Sequence, residues 1–239
     1  MRLSAVLFLL TAAVYGQAAP DAKELLKRAG ELFFGLTNFD VEMKVANLGD
    51  RPNERKLRVA LREDDSLLYD PGMGSQWIVR DARLIRIHDG NKEWTETAAE
   101  GPALRSLQRW IEPYVTRFEK LAGASFETEF VKWQELKRGS KKMRCAMIRL
   151  RPKTKAEGLW KETLWIEPET ALVWRSLWEE PLLGGGPIAR ESIRQVDYDW
   201  RVVDTPPADG VFQSEKLKRY KKVDAMSFRP LGGLPSPVM

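Results

Sequence analysis

The residues in this chain that could do covalent or metal chemistry are few and scattered. The single histidine, His88, ends a strand-like run beside Asp89-Gly90. A nucleophilic triad or a metal site needs partners around it that the sequence does not assemble, so it reads as a polar residue at a turn. The single cysteine, Cys145, has no internal disulfide partner and reads as buried and inert. The acid pairs Asp64-Asp65 and Glu179-Glu180 are sequence neighbours. Neighbours on a strand face opposite sides, so neither pair builds a catalytic dyad. Gly184-Gly185-Gly186 lacks the Lys-Ser/Thr that follows in a phosphate loop. No enzyme signature emerges, no metal site, and no need of a cofactor. The chemistry that remains is the burial of apolar surface.

Where that chemistry takes place is read from the N-terminus. Arg2 precedes a nearly unbroken apolar run from Leu3 to Tyr15, and Gly16 and Ala18 sit like the small residues of a signal-peptidase site. The run is too short to span a bilayer and has the form of a secretory signal over residues 1–18. No cysteine follows the cleavage region, so the expected product is soluble, in the periplasm, and without a lipid anchor. The formal net charge of +5 comes from 39 basic and 34 acidic side chains, interspersed along the chain. That excess permits contact with anionic head groups or acidic partners. It lacks the concentrated basic stripe that nucleic acid requires.

The elements follow from hydrophobic period. Asp21 with Glu24 resembles a capping box, and Leu25, Ala29, Leu32, Phe33 and Leu36 recur at helical spacing to about Gly35. The period then changes to two: Phe39, Val41, Met43 and Val45 alternate with charged residues, and Leu57, Val59 and Leu61 do the same. Further strands are expected at 66–69, 76–80, 83–88 and 92–95, with Asp81-Ala82 as a tight turn. Gly101-Pro102 opens a second helical stretch with Leu104, Leu107, Ile111, Tyr114, Val115 and Phe118 on one face, interrupted at Pro113. Strands resume at 125–133, 143–150, 160–166, 172–179 and 193–202. In the segment from Leu172, alternation puts Leu172, Trp174 and Trp178 on one face and Val173 and Leu177 on the other. Residues 225–239 are rich in Pro and Gly and are expected to be a disordered tail. There is no βαβ alternation, so a parallel sheet is not expected. The pattern predicts a mainly β fold: one open, strongly curved antiparallel sheet of about 11 strands with helices covering its concave face.

This order of elements resembles the outer-membrane lipoprotein carrier proteins (LolA-like) from about Asp21 to Lys222. The likeness is carried by Phe39-Asp40-Val41-Glu42-Met43 after the first helix, by Leu61-Arg62 at a strand end, and by the paired strands from Trp77 to His88. Leu164-Trp165-Ile166-Glu167-Pro168-Glu169-Thr170 is similar to the family's hairpin, and Pro206-Pro207-Ala208-Asp209-Gly210-Val211-Phe212 to its closing motif. The chain departs from the pattern at Glu63, where the family has Pro, and at Ala171, where its hairpin ends in Gly.

The resemblance implies a half-barrel domain over residues 19–224 whose apolar cavity takes the acyl chains of a lipoprotein or lipid. Its expected partners are that cargo, an inner-membrane loading protein and an outer-membrane receptor. By alternation, Phe39, Val41, Val59, Leu61, Trp77 and Val79 would form the cavity wall, and Leu25, Leu32, Phe33 and Leu36 the helical lid. The resemblance gives Arg62 the part of a lid latch, bonding to helix backbone. A non-catalytic envelope interaction or stress-sensing module on the same fold is the alternative; a hydrolase would need convergent polar groups that the sequence does not show.

Overall fold

The computed structural model describes residues 18–48, 52–99, 111, 114–123, 126–154, 160–182 and 190–224. The expected signal run, Leu104 and Leu107, the glycine triplet and the C-terminal tail lie outside the described residues. The chain packs as two compact units. One takes the residues up to Leu32 with Phe118–Ile193, the other Phe33–Arg117 with the residues from Arg194 on.

The boundary falls within helix α1 (Ala22–Gly35). Asp21 starts the helix: its Oδ1 accepts from the backbone N–H of Lys23 at 2.9 Å and of Glu24 at 3.1 Å, satisfying two donors that a helix start leaves orphaned. Leu25, Leu26 and Ala29 are buried in the first unit and Phe33 in the second, while Lys23, Lys27, Arg28 and Glu31 stay exposed.

In the second unit β1 (Phe39–Asn47), β2 (Asn53–Leu61), β3 (Leu67–Asp70), β4 (Ser75–Arg80), β5 (Arg83–His88) and β6 (Glu93–Ala98) form a meander, each antiparallel to the next. The long strand β11 (Arg190–Val203) pairs antiparallel with β1, so the order is β12-β6-β5-β4-β3-β2-β1-β11. One pairing departs from the antiparallel expectation: β12 (Lys221–Lys222) lies parallel to β6. Two residues carry no periodicity, and this strand forms because the closing segment runs back along the edge of the meander.

The β4–β5 turn is the tight one that its sequence predicts. Asp81 and Ala82 hold φ of 52° and 54°, the two successive left-handed residues of a type I′ hairpin. Ala is strained there by its Cβ. Ala82→Gly is therefore expected to stabilise the protein by about 0.5–1 kcal/mol, the strain relief less the greater unfolded-chain entropy of Gly. Urea unfolding at constant m-value measures it, and a lowered midpoint would contradict the assignment.

The first unit holds β7 (Phe126–Arg138), β8 (Lys141–Pro152), β9 (Lys161–Ile166) and β10 (Val173–Leu182) as successive antiparallel neighbours. The β9–β10 turn is closed by Glu167, whose carboxylate accepts from Thr170 Oγ1 at 2.7 Å and from Trp174 Nε1 at 3.2 Å. Ala171 takes the left-handed conformation there, φ 61°, where a glycine would be unstrained. The alternation read for β10 is corrected by a bulge between Val173 and Arg175. Val173 opposes Ile166 and Trp178 opposes Glu162, so these two share a face, and Leu177 opposite Thr163 lies on the other. A bulge inserts one residue and inverts every side chain beyond it. Cys145 is fully buried on β8, and burial together with nearby Glu167 pushes its thiol up to about 12.

Candidate functional site

Cross-strand register in the second unit assembles an apolar face from alternate residues. One row runs Trp200, Val41, Val59, Tyr69, Trp77; the next runs Phe39, Leu61, Leu67, Val79, Leu84. All six sheet positions expected to form a wall, Phe39, Val41, Val59, Leu61, Trp77 and Val79, thus fall on one face in two adjacent rows. The end of α1 lies on that face, with the Phe33 ring 5.6 Å from Trp200 and Phe39 6.2 Å from the same indole. Tyr114, from the second helical stretch, lies there too: Tyr198 donates its hydroxyl to the Tyr114 carbonyl at 2.9 Å.

Exposure is uneven along this face. Phe39, Val41, Val59 and Val79 are buried, as are Phe33 and Leu36, while Leu61 and Trp77 are only half-buried. Trp77 stacks on Tyr69 with ring centroids 5.3 Å apart and planes within 9°. The accessible apolar surface therefore sits beside β3 and β4. Leu25 and Leu32 belong to the first unit, the former buried and the latter half-buried.

The opposite face holds a second core that alternation in β1 and β2 does not reveal. Ala60, Leu68, Ile78, Ile85 and Ile87 pack around Phe212, with Trp94, Val211, Leu217 and Tyr220 at the margin. Phe212 ends a 3-10 turn (Asp209–Phe212), and the chain then passes through a second such turn (Glu215–Lys218) to β12. Trp94 Nε1 donates to the Tyr220 carbonyl at 3.2 Å, fastening this closing segment to β6. The signal for it is present in the sequence. Leu67-Leu68-Tyr69, Trp77-Ile78-Val79 and Leu84-Ile85 are continuous apolar runs, the mark of strands covered on both faces.

Arg62 belongs to this second side. Its Nε and Nη2 donate to Asp64 at 3.0 and 2.7 Å, Nη2 also reaches Ser66 Oγ at 3.3 Å, and Nη1 donates to Asp209. Its guanidinium lies over the Phe212 ring, 5.0 Å from the centroid. These hydrogen bonds hold the Arg62 guanidinium above its ordinary range and the Asp64 carboxyl well below the usual carboxylate range. The lid-latch role requires helix carbonyls as acceptors. Among the described residues its acceptors are instead in the β2–β3 turn and the closing segment, so Arg62 ties those two together.

Among the described residues no group of three or more His, Cys, Asp and Glu could hold a metal ion, and no helix is long and apolar enough to cross a membrane. No protein-family model matches the chain, and no curated protein does. Solved structures are similar at low identity. MucB aligns at 13% identity and a TM-score of 0.44 over 83% of this chain, which spans 64% of the MucB chain, less than two thirds of its length. LprF from Mycobacterium bovis aligns at 13% identity and a TM-score of 0.45, covering 81% of this chain and 99% of LprF. A LolA superfamily protein from Nitrosomonas europaea aligns at 12% identity and a TM-score of 0.30, covering 82% and 99%. The succession of elements expected from the sequence is present among the described residues: a helix, six strands, a helical stretch, five strands and a closing segment.

Proposed function

We propose that the protein is a non-catalytic carrier that takes the acyl chains of a lipoprotein or lipid onto the apolar face of the second unit, working in the periplasm between an inner-membrane loading protein and an outer-membrane receptor. The observation that carries the reading is that face. It runs continuously from Trp200 to Trp77, is covered in part by Phe33, and comes to the surface at Leu61 and Trp77. Each methylene moved from water onto such a surface gains about 0.8 kcal/mol, so a few suffice for measurable, reversible binding. The buried stretch around Val41 and Val59 opens to an acyl chain only when the covering residues move aside.

The burial of Phe39, Val41, Val59 and Val79 by the protein's own side chains favours a second reading, an envelope interaction or sensing module whose interior stays filled. Native mass spectrometry of protein purified from an envelope fraction without detergent, with lipid extraction of the same sample, separates the two. The carrier should show acyl-lipid adducts, and Trp77→Asp should reduce them at least about tenfold, the cost of placing a charge on the apolar entrance. Trp77 is the informative position because it is half-buried. Phe33 is 4% exposed, and an aspartate there would report on folding first. A clean apo mass, with no uptake of an added acylated peptide, would leave the interaction module.

A further inference from the structure

The charges on the two faces of the second unit are treated differently. On the face opposite the proposed binding surface, the strand charges pair across β1, β2 and β11. Arg58 bonds Asp40 at 2.7 Å, Lys44 bonds Glu54 at 2.7 Å, and Glu42 takes both Arg201 and Lys56. On the apolar face, register places three arginines, Arg55, Arg86 and Arg194, against one carboxylate, Glu93. None of the three is in an ion pair among the described residues. Arg55 gives Nη2 to the Tyr114 hydroxyl at 2.6 Å and Nη1 to Met73 Sδ at 3.4 Å, both uncharged acceptors. Arg86 stands directly across from Trp77, half-buried beside the accessible end of the apolar face.

A guanidinium next to apolar and aromatic surface loses hydration and is stabilised by an anion that fills its fork. Resting on the carrier reading, we infer that the ligand is an anionic amphiphile: its acyl chain lies along Val59 and Trp77, and its carboxylate or phosphate head is taken by Arg86 and Arg55. The Tyr114 hydroxyl, held by Arg55, supplies a neutral donor to the same head. The ion pairs across β1, β2 and β11 on the other face show that this chain places counter-ions where strand charges are structural. Their absence beside Trp77, among the described residues, leaves room for one that arrives with the ligand.

The test uses ligands that share one palmitoyl chain and differ in the head: palmitate, palmitoyl lysophosphatidate and monopalmitoylglycerol. Each displaces the uncharged dye phenylnaphthylamine from the full chain without its signal. At least one anionic ligand is expected to bind about tenfold more tightly than monopalmitoylglycerol, the effect of one charge-assisted bond. Arg86→Gln and Arg55→Gln should bring that ratio toward one, with circular dichroism confirming the fold. Arg86→Lys, keeping charge without the fork, should retain part of it. Preference for the lysophosphatidate identifies a phosphate head group, and preference for palmitate a free fatty acid. Equal affinity of wild type for anionic and neutral ligands, or a preference that both glutamine variants leave intact, overturns the head assignment and leaves the carrier standing. Failure of all three ligands to displace bound dye, or of the dye to bind, defeats both.

Discussion

Phe212→Ala is expected to destabilise the protein by about 3–5 kcal/mol, the range for emptying a buried aromatic site. Phe212 is 1% exposed and is the one residue of the closing segment at the centre of the second core, against Ala60, Leu68, Ile78, Ile85 and Ile87. The truncation removes those contacts and the platform under Arg62. Because the ring comes from a segment and not from a strand, the loss should also detach the polypeptide that leads to β12. Phe212→Leu keeps most of the volume and should cost roughly 1–1.5 kcal/mol. Equilibrium urea unfolding followed by far-ultraviolet circular dichroism measures both. A Phe212→Ala midpoint equal to wild type would mean that the closing segment is peripheral and that the meander is stable with one face uncovered.

The contrast between what alternation reveals and what it hides has a physical basis. From Phe39 to Val45 and from Leu57 to Leu61 the odd positions are apolar and the even ones, Ala60 excepted, are charged, so Phe39, Val41, Val59 and Leu61 sort to one face. On β3, β4 and β5 both faces are apolar, and the period that marks an interior disappears because there are two interiors. Phe212 is separated from those strands by more than a hundred residues, and no local pattern points to its partners. The same holds for Arg62 and Asp209, which are 147 residues apart. A strand-end arginine is legible as a type, but what it grips is decided by where the chain returns. The bulge at Trp174 is hidden for a different reason: one unpaired residue leaves local composition unchanged while reversing every later face.

The opposite-face ion pair gives a second large effect, with an asymmetry that burial predicts. Arg58 donates Nε and Nη2 to the two Asp40 oxygens at 2.8 and 2.7 Å, and this bond is the chief reason the Arg58 guanidinium is held above its ordinary range. The Asp40 side chain is 4% exposed and that of Arg58 29%. Arg58→Ala leaves a carboxylate buried without its fork and is expected to cost about 3–5 kcal/mol. Asp40→Ala leaves a cation that still reaches water, with Asp70 and Glu42 in its field, and should cost less, about 1–3 kcal/mol. The double variant Asp40→Ala/Arg58→Ala should then be more stable than Arg58→Ala alone, since deleting the stranded carboxylate removes the larger penalty. A double-mutant cycle in urea at neutral pH decides it. If Asp40→Ala proved the more damaging single change, the pair would be held chiefly by contacts of the carboxylate other than Arg58. The cost would then reside in strand β1 rather than in the uncompensated charge.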